Sequence, residues 1–139
     1  MLDVGTGSGI LAIAAIKIGV GHAVGTENDA LALESAAGNL LINEVVDRIE
    51  LIHVEDPNDL APRTFDVVVA NIISGVLLQL RKALVARTRP GGRLILSGIL
   101  TAEHPRVVAA FEAEGVELIE RTEAAEWCGL VWRRPLTSA

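Results

Sequence analysis

Tyrosine is absent from this 139-residue chain, and phenylalanine and tryptophan contribute two residues each. At 3% aromatics the chain cannot offer a platform of rings on which single-stranded nucleic acid would stack. Basic side chains are outnumbered, 12 Lys and Arg against 18 Asp and Glu, and they are scattered, so direct nucleic-acid binding through a cationic face is not expected. The single cysteine, Cys128, cannot form an intrachain disulfide, which fits a reducing cytoplasm. His22, His53 and His104 lie far apart without metal-ligand spacing. No apolar run reaches the roughly 18–20 residues needed to cross a bilayer, and Met1-Leu2-Asp3 lacks the basic and apolar regions of a signal peptide. Half of the residues are hydrophobic, and the length suits one globular domain over residues 1–139 with a sizeable core.

Short apolar runs alternate with longer helical patterns, the signature of strand–helix units around a parallel sheet covered on both faces. The pattern predicts strands over 1–4, 23–26, 49–53, 65–70 and 93–97, and helices over 9–18, 29–41, 74–86 and 103–114. Val76, Leu77, Leu80 and Leu84 illustrate the helical spacing. Arg89-Pro90-Gly91-Gly92 reads as a helix stop followed by a turn, and the segment 55–63, broken by Pro57 and Pro62, as a loop. Two further strand-like runs, 116–122 and 129–133, are close enough to pair as an antiparallel hairpin. Trp127 and Trp132 are most simply read as closing the core beside that hairpin, with contact to a substrate the lesser reading for Trp127. The fold class is therefore α/β and Rossmann-like, a mostly parallel sheet with a C-terminal antiparallel hairpin.

The chemistry is concentrated in Asp3-Val4-Gly5-Thr6-Gly7-Ser8-Gly9, between the first strand and the first helix. Glycines there let the backbone turn sharply and approach a ligand closely. A nicotinamide-dinucleotide fingerprint would place its third glycine where Ile10 stands, and a P-loop would need a Gly-Lys-Ser/Thr that does not follow. Charge discriminates further. Asp3 would repel a pyrophosphate but favours the ammonium and sulfonium of S-adenosyl-L-methionine. Glu27, at the end of the second strand, stands where a ribose-binding acid is expected, with Asn28 beside it. Asp29 reads as the cap of the second helix. Glu55 or Asp56 could accept from the adenine amino group, or serve as ordinary polar loop residues.

In this fold class chemistry collects at the carboxyl ends of the strands. The fourth strand delivers Asn71-Ile72-Ile73-Ser74 there. Asn71 suits two roles equally, a cap for the next helix or an acceptor, with nearby carbonyls, for a substrate amine. The stretch is a relaxed form of the Asn-Pro-Pro-Tyr motif of amino-methyltransferases without its prolines and aromatic ring. That absence points to a flexible alkyl amine, a lysine side chain or a chain terminus.

These residues resemble the PrmA-type methyltransferases, which modify amino groups of ribosomal protein eleven of the large subunit. The resemblance runs along nearly the whole chain. It rests on the segment from Leu2 to Ala15, on Val69-Ala70-Asn71-Ile72-Ile73-Ser74-Gly75, on the segment from Gly91 to Leu100, and on Glu126-Trp127-Cys128. It implies that Gly5, Glu27 and Asn71 contact the cofactor and that Asn71 also adjoins the incoming amine. Asp3, Gly5, Thr6, Gly7, Gly9, Glu27, Asn28, Asp56 and Asn71 are thus the expected cofactor residues, and Asn71 the catalytic one. No metal is implied. Glu27 stands where the family usually has Asp, and Ser74 where it often has Ala.

Family members carry a recognition domain, a linker and a Gly-Thr-Gly loop upstream of the position of Met1. The chain is accordingly expected to be truncated relative to the family, with apolar surface left uncovered and homo-oligomeric association favoured. The implied partner is a ribosomal protein substrate. The competing readings are a non-catalytic binding module of the same fold and, disfavoured by Ile10 and Asp3, an oxidoreductase domain.

Overall fold

The computed structural model describes residues 1–136, which contain seven strands and four α-helices in alternation until the last two strands. They form two compact units, Met1–Leu60 and the residues from Ala61 onward.

The first unit comprises β1 (Leu2–Val4), α1 (Ile10–Lys17), β2 (Ala23–Glu27), α2 (Ala30–Ile42) and β3 (Ile49–His53). Its strands are parallel in the order β3-β2-β1, with Val4 beside Thr26 and Glu27 beside His53. Parallel neighbours require crossover connections, and α1 and α2 supply them. Ala23, Val24, Gly25 and Thr26 are all buried, as expected of a strand covered on both faces. The core gathers Ala12, Ile16, Ala23, Leu40, Val45 and Ile49. Asp29 caps α2 as expected, one carboxylate oxygen accepting from the Leu31 N–H at 2.9 Å. The expected loop over 55–63 is interrupted by one 3₁₀ turn, Pro57–Asp59. Asp56 caps it by accepting from the Asn58 N–H at 2.8 Å, and Pro57 supplies a pre-set φ at its start. Ile10, Ile18, Leu31, Leu41 and Ile42 are exposed.

The second unit comprises β4 (Phe65–Asn71), α3 (Ser74–Arg87), β5 (Thr88–Leu100), α4 (His104–Glu112), β6 (Glu117–Ala124) and β7 (Trp127–Arg133). Here β4 and β5 are parallel, and β7 inserts antiparallel between β5 and β6. The hairpin is longer than expected, reaching a tight turn where Ala125 takes a φ of 54°. Apart from Leu118, β6 is exposed along its length, so no in–out alternation marks its end in the sequence.

The helix stop before Arg89 holds, but the turn expected at Arg89-Pro90-Gly91-Gly92 is strand instead. The Gly91 N–H donates to the Arg134 carbonyl at 2.8 Å, and the Arg134 N–H to the Gly92 carbonyl at 3.1 Å. This distant pairing draws the segment into β5. Pro90 has no N–H to leave unpaired. The guanidinium of Arg134 also donates to the carbonyls of Val85 and Thr88 at 3.2 and 2.6 Å, satisfying groups that the end of α3 leaves open.

Trp132 is 0% exposed, lies opposite buried Leu94 in the β5–β7 ladder, and its ring stacks on Phe111 with centroids 5.7 Å apart. Trp127 is 47% exposed. The expectation that both tryptophans close the core therefore fails for Trp127, the first residue of β7, which pairs with Leu100 and Ala124 but is half exposed. Among the described residues no helix is long and apolar enough to cross a membrane. Phe111→Ala should lower unfolding free energy by about 3–5 kcal/mol through the cavity left under Trp132. Urea denaturation checks this, and a loss below about 1 kcal/mol would show that the indole does not depend on that ring.

Candidate functional site

Val4 hands the chain to a turn in which Gly5, Gly7 and Gly9 adopt φ of 72°, 56° and 85°, values that a β-carbon disfavours. The N–H groups of Gly5 and Thr6 both donate to the Thr26 carbonyl at 2.9 Å, and the Gly9 N–H returns to the Thr6 carbonyl at 2.8 Å. Inside the turn the Thr6 hydroxyl donates to Asp3 Oδ2 at 2.8 Å. The Asp3 carboxylate also accepts from the Ala12 N–H, in the first turn of α1. Gly9, the residue before that helix, offers no side-chain cap, so Asp3 supplies one from the preceding strand.

Asp3 is 1% exposed. Burial pushes its carboxyl up to about 6, with the charge of Glu27 adding in the same direction, while the bonds from Thr6 and Ala12 pull it down. The group is therefore a desolvated anion beneath the turn rather than a side chain displayed on its surface.

Glu27 gathers backbone donors. Its Oε1 accepts from the Gly7 N–H at 3.0 Å, and its Oε2 from the N–H groups of Asn28 and Asp29 at 2.9 and 3.1 Å. The expected ribose acid thus also joins the glycine turn to the end of β2. Asn28 is exposed beside it, and its carbonyl accepts from His53 Nε2 at 2.8 Å. Asn39 on α2 donates to the Ser8 carbonyl at 2.8 Å. Asp56 lies in the same unit, half-buried, with one oxygen engaged as a cap.

In the second unit Asn71 is the last residue of β4, exposed, and paired in register with Ser97 of β5. The residue before α3 is Ile73 and the helix has no side-chain cap, so the capping role considered for Asn71 is ruled out. Ser74 instead bonds through its hydroxyl to the Glu103 carboxylate. Asn71 opens into a cleft of about 360 Å³ whose walls include Ser97, Gly98, Glu123 and Trp127. Among the described residues no group of His, Cys, Asp and Glu could hold a metal ion.

The family model described as ribosomal protein L11 methyltransferase (PrmA) matches residues 1–135. The chain belongs to this family. Named ribosomal protein L11 methyltransferases from Pelobacter propionicus and Azotobacter vinelandii are 41% and 46% identical to it over 134 and 127 residues. These matches take in 96% and 91% of the chain but 43% and 42% of the relatives, so the chain spans less than half their length. The crystal structure of the ribosomal protein L11 methylase from Lactobacillus delbrueckii subsp. bulgaricus superposes with a TM-score of 0.91 at 33% identity, covering 96% of this chain and 69% of that one. A precorrin-6y C5,15-methyltransferase from Geobacter metallireducens, 20% identical with a TM-score of 0.76, shares the fold. So does the [4+2]-cyclase SpnF, at 14% identity and 0.81. The fold is the Rossmann-like one of the class I methyltransferases.

Within this PrmA-family chain, sequence reasoning passed over Gly25. A β-carbon there would lie 2.9, 3.0 and 3.1 Å from Oγ1, Cβ and Cγ2 of Thr6. A glycine inside a strand is the usual mark of such a close approach, and it was available in the sequence. Gly25→Ala should cost on the order of 1–3 kcal/mol by overpacking. Adding Thr6→Ala should recover part of that loss in a double-mutant cycle of urea unfolding, and strict additivity would refute the contact.

Asp3 generates a pH prediction. Between about 3.8, the ordinary value, and about 6 the folded chain holds a proton that the unfolded chain has released, so rising pH destabilises the fold across that window. Asp3→Asn should therefore raise stability at pH 7.5 by on the order of 2 kcal/mol, with the gain vanishing near pH 4. Thermal and urea melts at both pH values check this. A variant less stable than wild type at pH 7.5 would contradict it.

Proposed function

We propose that this chain binds S-adenosyl-L-methionine and directs its methyl group to amino groups of a protein substrate, a ribosomal protein, in the cytoplasm. The observation that carries this reading is the buried Asp3 carboxylate beneath a left-handed glycine turn that is tied to Glu27, in a chain of the PrmA family. The donor and acceptor set fits that cofactor. The Asp3 anion is held in a medium of low polarizability, where its field favours the cationic methionine end. Gly5, Thr6, Gly7 and Gly9 keep side chains clear of the turn's outer face. Glu27 Oε1, with one backbone donor, retains capacity for the ribose hydroxyls, with Asn28 alongside. The second oxygen of Asp56 can accept from an adenine amine. When bound, the cofactor supplies an electrophilic methyl group on a sulfonium.

Transfer of that kind needs an oriented lone pair more than an acid or base. Asn71 Oδ1 and the Ile72 carbonyl can accept from the two N–H bonds of an amine and aim its lone pair. A lysine amine, with an ordinary pKa of about 10.4, arrives protonated, so desolvation and neutral acceptors that favour the uncharged form matter here. The apolar side chains exposed on the first unit also support homo-oligomeric association.

Calorimetry tests the binding step. S-adenosyl-L-methionine and S-adenosylhomocysteine should both give heat, and Glu27→Ala should weaken each by roughly tenfold or more, the value of one charge-assisted contact pair. Absence of heat with either ligand overturns the proposal. Transfer of a labelled methyl group to a large-subunit ribosomal protein, lost in Asn71→Ala, tests the second step. Binding without transfer would leave the chain as a non-catalytic module of this fold.

A further inference from the structure

We infer that Gly98 is a positioning residue for Asn71: the absence of a side chain at position 98 sets where Asn71 Oδ1, in the cleft, and the adjoining Ile72 carbonyl oxygen stand. The relevance of those two oxygens to an amine rests on the function proposed above.

The β4–β5 ladder runs as far as Asn71 opposite Ser97, so Gly98 is the first residue beyond it. There β5 slips its register with β7, between Leu96 and Ile99, and Gly98 takes a φ of +79°. A bulge of this kind re-aims neighbouring groups. A β-carbon on Gly98 would lie 2.8 Å from the Ile72 carbonyl oxygen, 3.1 Å from its carbon and 3.0 Å from Asn71 Oδ1. Two of the three are backbone atoms, which cannot swing aside as a side chain could. Both oxygens would have to move, and they are the pair that could receive an amine.

Two other glycines separate this crowding from backbone strain. Gly91, on the same strand, has a φ of +81°, but the nearest atom to its β-carbon position is the flexible tip of the exposed Leu136 side chain. Gly75, in the first turn of α3, has nothing within 4 Å. If Gly98 merely accommodates a left-handed φ, asparagine should replace it well, because asparagine tolerates that region. If space is what counts, asparagine fails as alanine does.

The test uses the ¹⁵N-labelled chain and the side-chain amide resonances of Asn71, assigned by their disappearance in Asn71→Ala. Gly98→Ala and Gly98→Asn should both displace that pair by more than its line width, whereas Gly91→Ala and Gly75→Ala should leave it in place. An unmoved pair in a folded Gly98→Asn chain overturns the inference. Unfolding provides a second measurement: Asn71→Ala should restore part of the stability lost in Gly98→Ala, so the double variant should be more stable than the sum of the single losses predicts. Additive losses, or a double variant that folds no better than Gly98→Ala, overturn it as well. Neither measurement requires cofactor or turnover. A chain that transfers no methyl group would count against the proposed function and not against Gly98.

Discussion

The first unit is organised around one buried carboxylate. Asp3 is the middle residue of the three-residue β1, and it holds the Thr6 hydroxyl of the glycine turn and the Ala12 N–H of α1. Strand, turn and helix therefore share a single acceptor. The cost is the desolvation of an anion, visible in the raised pKa, and the two hydrogen bonds offset part of it. A hydrophobic residue in its place would remove that cost and leave Thr6 and Ala12 without their acceptor.

Glu27 complements Asp3 from the neighbouring strand. Three backbone N–H groups converge on it, one from the glycine turn and two from the start of the following segment. Thr26 reinforces the link through its carbonyl, which accepts from Gly5 and Thr6. The turn is thereby held in shape by bonds from the neighbouring strand. In the second unit the same logic reappears without charge: the β5 bulge at Gly98 and the end of β4 at Asn71 fit together because one of them lacks a side chain.

Much of the fold was legible in the chain. Apolar periodicity located the helices and the parallel strands, because burial on both faces writes continuous apolar runs. The Asp29 cap and the helix stop near Arg87 were likewise readable, since both depend on neighbouring residues. What failed depended on partners far away. Arg89-Pro90-Gly91-Gly92 has the chemistry of a turn and becomes strand because Arg134 pairs with it. The end of β6 carries no alternation because both of its faces are exposed, and Trp127 reads as core although its side chain is half exposed at the cleft.

The sequence by itself determined the family, the type and order of the elements, and which residue types stand at the first glycine turn and at the end of the fourth strand, because each is encoded by local spacing. Only the tertiary structure decided what those residues touch. It placed Asp3 beneath the turn as the cap of α1, loaded Glu27 with backbone donors, took the capping role from Asn71, and brought Gly25 against Thr6 and Gly98 against Asn71. These contacts join residues on different elements, and their distances follow from how strands twist and register against one another, which no local pattern records.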